Sequence, residues 1–209
     1  MNSISKLVII LFSVILISIS YQLFPQNKNN DNMKTKKATF GSGCFWCSEA
    51  IFNRLDGVEK VEPGFAGGHT KNPTYKEVVT GETGYAEVSQ ITYNSDIISF
   101  STLLEVYWKT HDPTTLNRQG ADVGTQYRSV IFFHDKEQEA LAKDYLAALD
   151  SAKIWENPIV TEIVPYIKFY PAEDYHNDYY KNNPTNSYCN FVITPKIEKF
   201  EKVFKDKLK

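Results

Sequence analysis

Every glycine in this 209-residue chain lies between Gly41 and Gly124, and the sequence after Gly124 contains none. Glycine adopts backbone conformations that other residues avoid, and it weakens helices and strands from within. We therefore expect a turn-rich first half and regular helices in the second half. The predicted strands and helices mix without a strict β-α-β rhythm, which favours an α+β fold.

Hydrophobic patterns locate the predicted elements. Apolar or partly alternating runs predict strands at 37–40, 58–65, 86–93, 129–133 and 159–164. Helices are predicted at 45–55, at 101–109, after Asp135, and from Thr194 to Phe204. The clearest helix follows Asp135, because Gln138 completes a capping pair and an apolar stripe follows at Leu141, Tyr145 and Leu149.

The first residues of the chain are predicted to lie outside the folded domain. Residues 7–19 are almost entirely apolar, which is the length of a signal-peptide core and short for a membrane span. We expect residues 1–24 to be a signal peptide or an N-terminal membrane anchor, with the tether in residues 7–24. Residues 25–37 are predicted to be a flexible linker, and 38–209 one folded domain. The protein is therefore expected outside the cytoplasm, either periplasmic or anchored to the membrane.

The distribution of charge argues against one class of partner. The chain has a formal net charge of −2, and residues 1–37 carry a net +4, so residues 38–209 carry −6. Binding to nucleic acid depends largely on neutralising phosphates with basic side chains. We therefore expect no nucleic-acid partner, and we expect the domain to act as a monomer.

The most informative segment is Gly-Ser-Gly-Cys-Phe-Trp-Cys at 41–47, which lies where a predicted strand gives way to a helix. Cys44 therefore falls at a helix N-terminus, where unpaired N–H groups and the helix dipole stabilise a thiolate. The chain has two other cysteines, Cys47 and Cys189. An odd number suits a reactive thiol with one or two partners better than a disulfide scaffold.

The segment 41–47 and its cysteines allow other interpretations. A zinc site built from all three and a histidine lacks a second closely spaced ligand pair, so no metal is expected. The Gly-x-Gly sequence lacks the rest of a phosphate-binding fingerprint. A thiol–disulfide oxidoreductase that uses the pair Cys44-x-x-Cys47 fits the spacing and remains an alternative.

The segment Gly43-Cys44-Phe45-Trp46 resembles the signature of the methionine sulfoxide reductase A family. Further segments resemble blocks of that family in the same order, at 72–75, 83–87, 111–114, 120–129 and 170–176. The similarity spans 38–209 and implies a ferredoxin-like mixed-sheet core with additional helices and long loops. It also implies the repair of oxidised proteins by reduction of methionine (S)-sulfoxide, free or within proteins. The reductant would be thioredoxin or a thioredoxin-like protein, and no cofactor is expected.

The resemblance also assigns roles to individual residues. A sulfoxide becomes electrophilic at sulfur only when its oxygen is protonated or strongly hydrogen-bonded, so the site needs an acid and hydroxyl donors. By similarity, Glu87 is the acid, while Tyr75 and Tyr127 donate hydrogen bonds to the sulfoxide oxygen. Asp122 resembles the residue that supports the catalytic thiol through a hydrogen-bonded water.

The substrate's methyl group needs an apolar pocket, and we expect Phe45 and Trp46 to supply it. The chain departs from the family pattern at Cys47, where many members have glycine, and at Tyr85, which is often histidine. His176 lies in the last of the similar segments and is interpreted as structural or as a support for the residues that line the site.

Recycling of the enzyme requires a second thiol that condenses with oxidised Cys44. Cys47 is three residues away, about one helical turn, which places it on the same helix face. Cys189 lies at the end of a polar segment, 182–189, in which no helical period is visible, and it resembles the resolving cysteine of the family. We expect that segment to swing over the site, with Cys189 as the main resolving thiol and Cys47 as a secondary one.

Overall fold

A mixed sheet forms the centre of the protein in the computed structural model, which describes residues 35–209. The strand order is β7-β6-β1-β3-β2-β8, and every neighbouring pair is antiparallel except β6 and β7. The strands of this sheet are β1 (Thr35–Ser42), β2 (Val58–Ala66), β3 (Ala86–Asn94), β6 (Ser129–Phe133), β7 (Glu162–Pro165) and β8 (Phe169–Pro171). A separate hairpin consists of β4 (Arg118–Gln119) and β5 (Asp122–Val123).

Helices and helical turns cover the sheet and connect its strands. The α-helices are α1 (Phe45–Phe52), α2 (Tyr75–Val78), α3 (Phe100–Thr110), α4 (Lys136–Ser151), α5 (Tyr179–Asn182) and α6 (Thr194–Val203). Short 3-10 turns occur at Thr125–Tyr127, Asp174–His176 and Lys205–Lys207, and a π-helical turn occurs at Cys189–Ile193. The α+β fold with a mixed sheet and additional helices is confirmed.

The centre of the sheet positions the functional residues. Strand β1 lies between β3 and β6, and its end at Gly41 pairs with Val130. A Cβ atom at Gly41 would lie 2.7 Å from the Val130 side chain and 3.1 Å from the backbone oxygen of Glu87. The absence of a side chain at this position lets the strands approach closely, which brings the end of β1 beside Glu87 on β3.

The main hydrophobic core fills the space between the sheet and the helices. Its largest fully buried side chains are Trp108, Tyr93, Tyr107, Phe40, Phe52 and Phe200. All three cysteines are buried at the edge of this same cluster or within it. The thiols therefore share a largely apolar environment, which disfavours their ionisation.

Most predicted elements agree with the structure, and the clearest one agrees closely. Helix α4 begins at Lys136, and the Asp135 side chain accepts a hydrogen bond from the backbone N–H of Gln138, at 2.8 Å. The helix predicted at 45–55 ends earlier, at Phe52. The strand predicted at 159–164 is shifted and shorter, because Glu162–Pro165 are the residues that pair with β6.

The predicted N-terminal segments fall largely on residues 1–34, which lie outside the described residues. The predicted linker, 25–37, extends too far, because Thr35, Lys36 and Lys37 belong to β1 and pair with Asn94, Tyr93 and Thr92 of β3. Among residues 35–209, no helix has the length and apolar character needed to span a membrane.

Candidate active site

Cys44 lies in the turn between β1 and α1, at the N-cap position of the helix, as predicted. Gly43 makes this turn with a φ of 89°, in the left-handed region that favours glycine. A Cβ atom at Gly43 would lie 2.6 Å from the side chain of Gln119, so the turn also has no room for one. Cys44 is buried, with 8% of the residue exposed, and it packs within the main hydrophobic core.

Glu87 lies on β3 opposite Phe65 and is 1% exposed. Its Oε2 accepts a hydrogen bond from the backbone N–H of Phe45 at 3.1 Å, directly after Cys44 in the chain. Its Oε1 has no hydrogen-bond partner within residues 35–209. Burial raises the pKa of Glu87 to about 8, so the carboxyl group is largely protonated at neutral pH. A buried carboxylic acid beside a thiol can act as a proton donor.

Tyr75 and Tyr127 approach the same site from separate segments. Tyr75 is the first residue of α2, and Tyr127 ends the 3-10 turn Thr125–Tyr127. Burial raises the pKa of both phenols, and the charges of Glu87 and Cys44 raise them further. The Tyr75 ring centroid lies 6.2 Å from that of Phe45, and Tyr127 packs against the core cluster that contains Cys44. Both hydroxyls remain protonated at neutral pH and are available as hydrogen-bond donors.

Phe45 forms one apolar wall of the site. The ring is buried, with its centroid 5.9 Å from that of Phe65, 6.2 Å from that of Tyr75 and 5.0 Å from that of His176. Aromatic rings at these separations pack favourably and hold one another in place. The predicted apolar residue beside the nucleophile is therefore rigidly supported.

Trp46 forms a second wall, and its orientation depends on two residues that are distant in sequence. Its indole stacks on Tyr179, with ring centroids 3.6 Å apart and planes within 5°. The indole Nε1–H donates a hydrogen bond to Nδ1 of His176 at 3.0 Å. His176 accepts through Nδ1 only when that nitrogen carries no proton, and burial lowers the pKa of His176 accordingly. His176 thereby supports Trp46, one of the two residues expected to line the methyl pocket.

Asp122 lies on β5, and its carboxylate accepts a hydrogen bond from the Tyr188 hydroxyl at 2.6 Å. The same hydroxyl lies 3.9 Å from Sγ of Cys47. Asp122 is thus linked to the thiols through a side chain that the sequence analysis did not identify. Tyr188 lies in an Asn-rich segment, and no local pattern marks it as a site residue. Its position directly before Cys189 is the one sequence feature that could have identified it.

Cys189 lies in a different setting from the one predicted. The segment was expected to be non-helical and to swing over the site. Residues 183–186 are non-helical, but residues 187–203 form a continuous helix in which Cys189–Ile193 are a π-helical turn. Asn186 starts this helix, because its Oδ1 accepts hydrogen bonds from the backbone N–H groups of Tyr188 and Cys189, at 2.9 and 3.3 Å. Cys189 is 0% exposed. The side-chain cap and the apolar residues that follow Cys189 explain why the polar composition was misleading.

The two neighbouring thiols titrate as a pair. Burial raises the pKa of Cys44 well above its ordinary value, and its hydrogen bond with Cys47 and the charge of Glu87 add to this effect. The hydrogen bond with Cys44 lowers the pKa of Cys47 to about 7. Interacting groups of this kind lose their protons in two steps that belong to the pair. The pair therefore loses its first proton near neutral pH and keeps the second to much higher pH.

The described residues 35–209 contain no group of three or more His, Cys, Asp or Glu side chains arranged to hold a metal ion. The chemistry available at the site is therefore that of a thiol pair, a buried carboxylic acid and phenolic donors beside an apolar wall.

Comparisons with known proteins agree with this arrangement. A family model described as peptide methionine sulfoxide reductase matches residues 36–208. The peptide methionine sulfoxide reductase MsrA of Saccharolobus solfataricus is 52% identical over 172 residues, which cover 82% of this chain and 96% of that protein. The protein of the same name from Natronomonas pharaonis is 51% identical over 174 residues, which cover 83% of this chain and 98% of that protein.

Solved structures are similar over most of the described residues. Mxr1 from Saccharomyces cerevisiae in its reduced form has a TM-score of 0.67 and 35% identity, covering 80% of this chain and 96% of that one. Methionine sulfoxide reductase A of Corynebacterium diphtheriae has a TM-score of 0.66 and 36% identity, covering 73% of this chain and 77% of that one.

Proposed function

This chain belongs to the peptide methionine sulfoxide reductase A family, and on that premise we propose that it reduces methionine (S)-sulfoxide with Cys44 as the nucleophile. The substrate is the free amino acid or an oxidised methionine within a protein. The observation that carries this proposal is the hydrogen bond from the Phe45 N–H to the buried acid Glu87, directly after Cys44 at the start of α1. Such an acid keeps its proton at neutral pH and can deliver it to a sulfoxide oxygen.

The reaction transfers one oxygen atom. The Cys44 thiolate attacks the sulfoxide sulfur while Glu87 protonates the oxygen, and the oxygen then moves to Cys44. The products are the thioether of methionine and a Cys44 sulfenic acid, so the substrate gains the two electrons that the thiol loses. Tyr75 and Tyr127 support this step as hydrogen-bond donors to the oxygen, because their raised pKa keeps both hydroxyls protonated.

The apolar wall explains how the substrate would be oriented. Phe45 and Trp46 flank the nucleophile, and a methyl group packed against them leaves the sulfoxide oxygen facing the acid and the phenols. The apolar wall contacts the methyl group, the acid and the phenols contact the oxygen, and Cys44 contacts the sulfur. Three contacts at fixed positions distinguish the two epimers of a sulfoxide. The arrangement therefore supports selectivity for one epimer.

The sulfenic acid is recycled by a second thiol of the same chain. Condensation of the sulfenic acid with a thiol forms a disulfide and releases water. A dithiol reductant, either thioredoxin or a thioredoxin-like protein, then exchanges with this disulfide and returns both cysteines to the reduced state. Cys47 and Cys189 are the candidates for the second thiol.

We further propose that the protein works as a monomer outside the cytoplasm, either released or held by its N-terminal apolar segment. The support is the apolar run at 7–19, followed by residues rich in Asn and Lys. Cell fractionation with a C-terminal tag tests the location. Full-length protein in the soluble cytoplasmic fraction would contradict it.

Reductant consumption with each resolved epimer of methionine sulfoxide tests the main proposal. We expect turnover with the S-epimer, little with the R-epimer, and none with either after alkylation of Cys44. A thiol–disulfide oxidoreductase would instead reduce the disulfides of insulin without needing Glu87. Insulin reduction by the Glu87→Gln variant, without sulfoxide turnover by the wild type, would support that alternative.

A further inference from the structure

The first turn of α1 holds two thiols in a geometry suited to a disulfide. Cys44 is the N-cap and Cys47 lies three residues later, and the backbone N–H of Cys47 donates to the Cys44 carbonyl at 3.1 Å. This hydrogen bond closes the turn and places both side chains on one face of the helix. The Cα atoms of residues one helical turn apart lie within the range that a disulfide spans, about 4.4–6.8 Å. A bond between these sulfurs needs only rotation of the two side chains.

Cys189 is held away from such a reaction by its own segment. It is the first residue of the π-helical turn and is fully buried. Its backbone N–H is bonded to Asn186 Oδ1 at 3.3 Å, and its carbonyl accepts from the Thr194 hydroxyl at 3.0 Å. These contacts hold the backbone of Cys189 in the helix. Burial raises the pKa of Cys189, and the charge of Cys47 adds to this effect.

The surroundings of Cys47 favour its reaction. The Tyr188 hydroxyl lies 3.9 Å from its Sγ and is oriented by Asp122. The positive charge of Lys196 contributes to lowering the pKa of Cys47, after the larger effect of the hydrogen bond with Cys44. A thiol that ionises near neutral pH attacks sulfenic acids and disulfides faster than one held neutral.

We propose that Cys47, and not Cys189, is the thiol that condenses with the Cys44 sulfenic acid. The inference rests on the proposed function, because it requires that Cys44 is first oxidised by a sulfoxide. The Cys47 sulfur attacks the Cys44 sulfur and displaces hydroxide, which leaves as water with the proton of the Cys47 thiol. The S–S bond forms as the S–O bond breaks, and no further oxidant is needed. The Cys44–Cys47 disulfide lies in the first turn of α1, at the N-terminal end of the helix.

Single-turnover experiments on the full chain test this step. Wild type, Cys47→Ser and Cys189→Ser are each mixed with one equivalent of methionine (S)-sulfoxide without reductant. Methionine release is measured in parallel with trapping of the sulfenic acid by a dimedone-type reagent, and disulfides are mapped by mass spectrometry. Cys47→Ala accompanies Cys47→Ser, so that an effect of the introduced hydroxyl is recognised.

We expect all four proteins to release one methionine per chain. Wild type and Cys189→Ser should form the Cys44–Cys47 disulfide and leave no sulfenic acid to trap, whereas both Cys47 variants should accumulate it. Sulfenic acid that persists in Cys189→Ser, or a Cys44–Cys189 disulfide formed by Cys47→Ser at the wild-type rate, would overturn the inference. Failure of the wild type to release methionine would instead reject the proposed function.

Discussion

The backbone N–H of Phe45 donates a hydrogen bond to Oε2 of Glu87, which fixes the acid beside the residue that follows the nucleophile. One carboxylate oxygen is thereby held in place, while the other has no partner within the described residues 35–209. Burial of both oxygens raises the pKa of the group, whereas the hydrogen bond opposes that rise. The structure therefore presents a largely protonated acid with one oxygen available to a substrate.

Replacement of Cys44 with serine should abolish methionine formation even in a single turnover. A serine hydroxyl is a far weaker nucleophile than a thiolate and cannot form the sulfenic acid. The measurement is methionine released per chain after rapid mixing with sulfoxide. Cys189→Ser serves as the matched control and should release one equivalent. Methionine released by Cys44→Ser above the enzyme-free background would contradict the assignment of the nucleophile.

Replacement of Glu87 with glutamine should slow the chemical step by about 10²- to 10⁴-fold, the usual contribution of a general acid. The amide oxygen can still accept from the Phe45 N–H, and the apolar wall is untouched, so substrate binding should change little. Pre-steady-state methionine formation measures the chemical step separately from binding. A rate equal to that of the wild type would leave Glu87 with a purely structural role.

The pH dependence of the same step provides a second test of Glu87. The acid acts in its protonated form, so with a pKa of about 8 its contribution should fall as the pH rises through 8. Ionisation of the thiol pair has the opposite effect and increases the rate with pH. Wild type should therefore show a bell-shaped profile, and Glu87→Gln only the rising part. If the rate of Glu87→Gln still falls at high pH, a group other than Glu87 causes that fall.

Replacement of His176 with phenylalanine should weaken substrate binding more than it slows chemistry. The ring is retained, but the acceptor for the Trp46 Nε1–H is lost, at a cost of about 0.5–1.5 kcal/mol for one hydrogen bond. We expect KM to rise while the single-turnover rate at saturation stays close to that of wild type. Tyr175→Phe, at an exposed neighbouring position, is the control. An unchanged KM would show that stacking on Tyr179 suffices to orient the indole.

Replacement of Lys196 with methionine should slow disulfide formation at neutral pH without changing methionine release. The positive charge of Lys196 contributes to lowering the pKa of Cys47, so its loss should move the pH profile of disulfide formation upward. Lys196 and Lys199 both lie on α6 and line the same cavity of about 350 Å³. Lys199→Met is therefore the matched control. If disulfide formation has the same pH profile in both variants, Lys196 does not lower the pKa of Cys47.

Glu49 on α1 should make folding stability depend on pH. Its Oε1 accepts from the backbone N–H of Asp178 at 2.8 Å, but its buried Oε2 has no partner among the described residues. Burial raises the pKa of Glu49 to about 7, so the folded state holds this proton more tightly than the unfolded state. The resulting stability is full below the unfolded value of about 4.5 and is lost as the pH rises through 7.

Replacement of Glu49 with glutamine should therefore stabilise the protein relative to wild type at pH 8 but not at pH 5. The gain should be about 1–3 kcal/mol, because the buried carboxyl group must ionise above pH 7 whereas the amide stays neutral. Urea unfolding at both pH values measures it, and Glu198→Gln at an exposed position of α6 is the control. A difference from wild type that is equal at both pH values would show that Glu49 does not titrate on folding.

Local signals explain which elements could be predicted. Asp135 and Gln138 form a cap within four residues, and strand β6 is a continuous apolar run, so both elements were placed closely. Strand β8 and the hairpin of β4 and β5 were missed, because three- and two-residue strands have no hydrophobic period. The prediction that the segment is non-helical up to Cys189 was wrong at residues 187–189. The Asn186 side chain caps the helix that begins there, and no apolar stripe marks its start.

The position of Cys44 at a helix N-terminus followed from the sequence alone, since glycines followed by a cysteine and a helix-forming run act through local geometry. The sequence also contains the ordered segments that resemble the family. That resemblance predicts Glu87 as the acid and Tyr75 and Tyr127 as hydrogen-bond donors, and these roles remain predictions. Only the tertiary structure decided that Tyr188 joins Asp122 to Cys47 and that Cys189 is enclosed in a helix. These contacts join residues far apart in the chain, and packing of the whole core, not any local pattern, sets their distances.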